Sequence, residues 1–157
     1  MIIRNGNYTE LDGYDFALSE ARQEAPIPFT HFILKWVLSY PCPVGGFALN
    51  EHGDIIRIFK RNEINNAYKV VTKASYQGQE VNVYNFFEKE NAIGVTTYSF
   101  VEDSDFIKSV DQYGVDYYIG MVGLSEIESI WEERSKSEYD LPIPDGVERK
   151  KIITPTL

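Results

Sequence analysis

Short alternating runs of apolar and polar residues, punctuated by glycine turns, fill the first two-thirds of the chain. Asn5-Gly6 and Asp12-Gly13 bracket residues 8–11, and Tyr14, Phe16 and Leu18 then alternate with smaller or polar side chains. Side chains two apart share one face of a strand, so the pattern predicts strands joined by tight turns. Ala25-Pro26-Ile27-Pro28 predicts a stiff, extended stretch. Residues 29–40 fit two periods. A strand puts Phe32, Leu34, Trp36, Leu38 and Tyr40 on one face, whereas a helix gathers His31, Lys35 and Ser39 on a polar stripe. The strand leads more naturally through Pro41-Cys42-Pro43 and Gly45-Gly46 into the next hairpin.

That hairpin is clearer. Phe47-Ala48-Leu49-Asn50-Glu51 precedes the turn residues His52-Gly53-Asp54, and the β-branched, apolar run Ile55-Ile56-Arg57-Ile58-Phe59 follows. A further hairpin pairs Tyr68–Tyr76 with residues 80–87 around Gln77-Gly78-Gln79. Residues 92–100, rich in Thr, Val and Tyr, predict another strand.

The last third changes character. Asp103 or Ser104 can cap a short helix with Phe106, Ile107 and Val110 on one side and Gly114 at its end. Residues 115–122 predict a strand with Val115, Tyr117, Ile119 and Met121 on one face. Ser125-Glu126-Ile127-Glu128 has the form of a capping box, in which hydroxyl and carboxylate each satisfy a free backbone N–H. The helix it predicts carries Leu124, Ile127, Ile130 and Trp131 as its apolar stripe, with Glu126, Glu132, Glu133 and Lys136 on or near the wet side. Residues 141–157 form an extended tail. Many strands with short turns, then helix, strand and helix, predict one α+β domain over 1–157: a mainly antiparallel sheet with one or two packed helices in the C-terminal third.

A hydrophobic fraction of 43 % supplies a core for such a domain and argues against disorder. No apolar run approaches the roughly 20 residues that cross a bilayer as a helix. The N-terminal residues do not read as a secretory signal. The single cysteine, Cys42, fits a reducing, cytoplasmic compartment. The formal net charge of −9 is unevenly spread: residues 1–100 hold 11 acidic and 9 basic side chains, residues 101–157 hold 13 and 6. That sign repels nucleic acid and anionic lipid and attracts a basic partner.

Candidate chemistry is sparse. His31 and His52 have no evident nucleophile or orienting partner, and Cys42 sits between two prolines rather than at a helix N-terminus. No phosphate-binding loop, nucleophile elbow or metal-ligand spacing appears, so neither cofactor nor metal is expected. Glu51 with Asp54 fits turn chemistry, and Glu102, Asp103 and Asp105 fit a helix start. Arg57, Lys60, Arg61, Lys69 and Lys73, interleaved with Phe59, Tyr68 and Tyr76, fit a solvated strand face better than an RNA-binding one, given the overall acidity. The directional feature is the acidic last third, whose carboxylates lie close in sequence to Phe106, Tyr113, Tyr117, Tyr118 and Trp131. Carboxylates meet Arg and Lys on a partner, and Tyr and Trp anchor interfaces. Asp103, Asp105, Asp116, Tyr118, Glu126, Glu128, Glu132 and Glu133 are therefore the candidate partner-binding residues.

In size, acidity, Tyr/Phe-rich strands and stretches such as Gly45-Gly46-Phe47-Ala48-Leu49-Asn50-Glu51-His52-Gly53-Asp54 and Ile130-Trp131-Glu132-Glu133-Arg134, the chain resembles the small immunity proteins encoded beside bacterial polymorphic or contact-dependent toxins. The resemblance implies a non-enzymatic monomer or weak dimer that binds a toxin domain, often a nuclease, and neutralises it. A small carboxylate-dependent hydrolase and a phage or secretion-system accessory protein are the alternatives.

Overall fold

The computed structural model describes residues 1–21, 29–103 and 105–153. The proline-rich stretch at 25–28 and the alternative cap at Ser104 lie outside them. Among the described residues there are twelve strands and two single 3₁₀ turns, and each described pairing is antiparallel. The expected α+β class is corrected to all-β, because both C-terminal helices are strands.

The chain divides into two compact units. One comprises Gly6–Val70 and Arg134–Glu148. In it β1 (Gly6–Leu11), β2 (Tyr14–Glu20), β3 (His31–Trp36), β4 (Ala48–Leu49) and β5 (Ile55–Lys60) are hydrogen-bonded in the order β4-β5-β3-β2-β1. Asp12 and Gly13 both take positive φ, as a two-residue turn closing Leu11 on Tyr14 requires. Residues 31–36 resolve as strand: Phe32, Leu34 and Trp36 are buried while Lys35 is exposed. These three pack with Phe16, Leu18, Phe59, Ile64 and Ala67.

The other unit comprises Met1–Asn5, Val71–Glu133 and Arg149–Leu157. The remaining strands are β6 (Tyr68–Tyr76), β7 (Gln79–Phe87), β8 (Ala92–Thr97), β9 (Ile107–Val110), β10 (Asp116–Gly123), β11 (Ile127–Lys136) and β12 (Lys150–Ile153). β6 and β11 each have one end in either unit. The ladder runs β6-β7-β8-β10-β9, and β11 pairs with β6 and β12. Gln79 joins β7 rather than the turn, because Gln77 and Gly78 alone take positive φ between Tyr76 and its partner Gln79. Ala74, Tyr76, Val81, Val83, Ile93, Val95, Val122 and Ile130 form the core of this unit.

Two corrections have physical causes. At 103–110, Asp103 Oδ1 accepts the backbone N–H of Asp105 at 2.9 Å, and the Phe106 N–H bonds Asp103 O at 3.1 Å. That makes one turn, after which the chain extends and pairs Ile107 with Ile119 and Val110 with Asp116. Phe106 turns inward and is buried, but Ile107 and Val110 are exposed, so the three do not share a side. At 124–136, the capping chemistry is used up by the 3₁₀ turn Leu124–Glu126, where Glu126 Oε2 accepts the Gly123 N–H at 3.2 Å. β11 then buries Ile130, Trp131 and Glu132 in succession. A strand covered on both faces loses its period of two, which is why its apolar spacing mimicked a helix.

Glu132, expected on the wet side of a helix, is instead buried in a two-pronged pair with Arg4. Arg4 Nε and Nη2 donate to its carboxylate oxygens at 2.8 and 2.7 Å. The last described strand of the tail, β12, pairs Ile152 with Trp131 and Lys150 with Glu133. Lys150 Nζ stands 4.3 Å from the Trp131 ring centroid.

Candidate functional site

Two glycines shape the sheet that carries the candidate site. In register, Gly94 pairs with Met121 and Gly120 with Val95. A methyl group at Gly120 would lie 2.7 Å from the Phe106 ring, so the missing side chain lets Phe106 lie flat on the inner face, where it stacks on Tyr76. A methyl group at Gly94 would lie 2.3 Å from Tyr84 Cζ, so Tyr84 covers the outer face there. Glycine within a strand commonly marks such close approach.

The inner face of β10 is Tyr118, Gly120 and Val122, packed toward the core. Tyr117, Ile119 and Met121 therefore lie on the outer face, cross-strand from Ser109, from Ile107 and Thr96, and from Gly94 respectively. Met121 is half-exposed, and Ile107 is 68 % exposed. Tyr98, Phe100, Val110, Tyr113 and Val115 in the flanking segments are also exposed. Single apolar residues at a surface need no explanation, but seven gathered within residues 98–121 do. Among the described residues β9 pairs with β10 alone, so Ile107, on the outer face with Ile119 and Met121, stands at an open sheet edge, whereas Val110, opposite Asp116, and Phe100, edge-on to Tyr118, flank that edge from the other face.

The β9–β10 loop shapes a recess beside the patch. The Asp111 N–H bonds Val115 O at 2.9 Å and the Gly114 N–H bonds Asp111 O at 3.1 Å, with Gly114 at φ +78°. A three-residue hairpin loop calls for glycine at that left-handed position. Asp111 Oδ1 accepts the N–H groups of Tyr113 and Val115 at 2.8 and 2.9 Å, and Oδ2 accepts the Tyr98 hydroxyl at 3.0 Å. These donors, the Val115 N–H foremost, hold the Asp111 carboxyl below the usual carboxylate range. The bond to Asp111 pushes the Tyr98 hydroxyl above its ordinary value. The rings of Tyr98 and Tyr117 lie 6.2 Å apart, tilted by 54°. With Thr96, Val110, Asp111 and Gln112 they line an open recess of about 430 Å³.

All eight sequence-derived candidates fall in this unit, but most of their carboxylates have internal partners. Asp103 holds the turn before β9, and the Tyr76 hydroxyl donates to its Oδ2 at 3.4 Å. Asp116 pairs with Lys108 at 3.0 Å, with both side chains more than half exposed. Glu126 closes the 3₁₀ turn, and Glu128 accepts the Ser75 hydroxyl at 2.8 Å. Glu133 accepts the Trp131 indole N–H at 3.2 Å and pairs with Lys73 at 3.1 Å. The indole bond, then Lys73, holds the Glu133 carboxyl below the ordinary range. Tyr118 is half-buried with its ring edge-on to Phe100. Asp105 is exposed before β9. The structure thus sets Asp105 and Asp116 beside the apolar edge, with Asp111 in the recess, and draws Glu132 inside.

Ile107, Tyr98 and Met121 were not among the residues that sequence reasoning put forward as partner-binding. The run Val115, Tyr117, Ile119, Met121 was visible as one face, but only the ladder shows that this face is the outer one. Elsewhere, His31 Nδ1 and the Thr30 hydroxyl hydrogen-bond at 2.7 Å, and His52 Nε2 lies 3.5 Å from Glu51. The Cys42 thiol donates to Val44 O at 3.5 Å. No group of three His, Cys, Asp or Glu side chains among the described residues is placed to hold a metal ion. No helix of the described residues is long and apolar enough to cross a membrane.

Neither the curated proteins nor the solved structures give a match to this chain. A family match covers residues 44–138, from the loop before β4 to just beyond β11. It takes in all of β8, β9 and β10, and on that extent the chain belongs to the family described as uncharacterised conserved protein UCP033725.

Proposed function

We propose that this chain is a protein-binding inhibitor of the bacterial cytoplasm, and that the outer face and open edge of β8–β10 dock a basic partner. The partner class is a toxin domain; that step rests on the sequence resemblance to immunity proteins. The observation that carries the docking reading is the concentration of exposed Tyr, Phe, Ile, Val and Met side chains over residues 98–121. The charge of the same segment adds direction: residues 102–116 hold Glu102, Asp103, Asp105, Asp111 and Asp116 against Lys108 alone. Apolar and aromatic side chains supply contact area, and the surrounding acids speed encounter and select a basic partner. Docked over a cationic active-site groove, such a face excludes an anionic substrate without catalysing anything.

The experiment is co-expression and calorimetric titration with whatever toxin domain a neighbouring gene encodes. The expected result is rescue of growth and a 1:1 complex of nanomolar affinity, about −12 kcal/mol. Charge reversal at Asp105 and truncation at Met121 should each weaken it about tenfold or more, on the scale of central interface residues. No complex at micromolar concentrations, or full rescue by a Tyr117→Ala/Met121→Ala double variant, removes the reading.

A further inference from the structure

We propose that the recess between Tyr98, Asp111 and Tyr117 receives one arginine side chain of the partner, as the charged anchor of the docking face. This inference rests on the docking reading and names the chemistry that the recess accepts.

Three features select a guanidinium. The first is an anionic group held in place: three donors fix the Asp111 carboxylate, and no basic side chain among the described residues is paired with it. A carboxylate has about four acceptor sites. Its Oδ1 has both used, whereas Oδ2, engaged by the Tyr98 hydroxyl, retains one toward an incoming N–H. The second is the pair of tilted tyrosine rings, whose faces attract a cation within about 6 Å. The third is the polar lining from Thr96 and Gln112, which offers further acceptors to a group with five N–H donors. Arginine fits this set better than lysine. Its planar, weakly hydrated head stacks on a ring while donating in its own plane, whereas an ammonium keeps its water.

The local alternative is that Asp111 serves only to close the β9–β10 loop. Asp111→Asn separates the two, because asparagine keeps the side-chain oxygen that accepts from Tyr113 and Val115 and removes the charge. The probe is the capped tripeptide Ac-Gly-Arg-Gly-NH₂, titrated into the whole chain while the tyrosine ring resonances are followed by NMR. The citrulline and lysine tripeptides are the comparisons. The expected result is saturable shifts at Tyr98 and Tyr117 in the millimolar range, at least fivefold weaker with lysine and absent with citrulline. Asp111→Asn should weaken the arginine response at least fivefold while leaving the other resonances in place. Tyr117→Leu should do the same, which gives a second reading if the asparagine variant disturbs the loop. Equal binding of citrulline, shifts elsewhere, no shifts, or an unchanged response in both variants overturns the assignment. The titration needs no partner protein. A negative result beside an intact toxin complex removes only the arginine recess, and a positive result without a complex removes only the docking reading.

Discussion

Adding one methyl group to each of the two strand glycines should give costs that run opposite to the severity of the contacts. At Gly120 the new carbon would lie 2.7 Å from Cγ and Cδ2 of Phe106 and 2.8 Å from Cε2. Carbon atoms prefer about 3.5–4.0 Å, so the ring must move by roughly 1 Å. It cannot easily do so: Phe106 is only 8 % exposed and stacks on Tyr76, itself 2 % exposed. Overpacking of this kind costs about 1–3 kcal/mol. The stiffer unfolded chain returns about 0.4–1 kcal/mol, since the backbone at 120 is ordinary. Gly120→Ala should therefore lose about 1–2 kcal/mol. At Gly94 the contact is closer, 2.3 Å to Tyr84 Cζ, yet it involves the far end of a side chain that is 45 % exposed. Tyr84 can swing outward, giving up its edge-on contact with Phe87, worth about 0.5–1.5 kcal/mol. With the same backbone gain, Gly94→Ala should stay within about 1 kcal/mol of the parent. Urea unfolding reads both, as a lower midpoint at unchanged slope for Gly120→Ala and little change for Gly94→Ala. A larger loss at Gly94 would refute the assignment of Phe106 to the packed face and Tyr84 to the open one.

Glu132→Gln should cost about 1.5–3 kcal/mol, because it turns a two-pronged charge-assisted pair with the half-buried Arg4 into a contact with a neutral amide. Replacing both, Arg4→Met with Glu132→Leu, should cost less than the sum of the singles, as a double-mutant cycle by thermal unfolding would show. Asp111 and Glu133 both have folded-state values below their ordinary 3.8 and 4.5, so they stabilise the fold above those values and lose that contribution as pH falls through the lowered ones. Melting followed from pH 7 to pH 2 should therefore decline below about pH 4.5, and the decline should be shallower in Asp111→Asn. Lys73, raised above 10.5 chiefly by its bond to Glu133, behaves oppositely: its contribution holds below 10.5 and fades as pH climbs through the raised value, a second limb that Glu133→Gln should flatten. Tyr98→Phe removes one donor from Asp111 and should move that carboxyl back toward its ordinary value in an NMR titration.

The strands of the first two-thirds were legible because their turns are marked by residues with positive φ, as at Asp12-Gly13 and Gln77-Gly78, and because Phe32, Leu34 and Trp36 alternate cleanly with exposed or half-buried neighbours. The last third misled for two reasons. Asp103 and Glu126 carry capping chemistry, and one turn uses that chemistry as well as a helix does. β11 buries consecutive residues, and the buried Glu132 looks like an exposed helix acid until Arg4 is seen against it. The candidate site was half legible. Its acidity and its tyrosines are plain in the sequence, but which face of β10 meets solvent depends on register with β8 and on Phe106 occupying the inner side at Gly120.

The central claim is that the outer face of β8–β10 with the β9 edge is where this chain meets a basic protein. Hydrogen–deuterium exchange of the whole chain, alone and mixed with a toxin domain that it is found to neutralise, tests this most directly. The account predicts added protection at Ile107–Val110 and Asp116–Gly123, weakening as salt is raised, with His31–Trp36 unchanged as an internal reference. Complex formation with protection confined to strands outside residues 92–123 would contradict it.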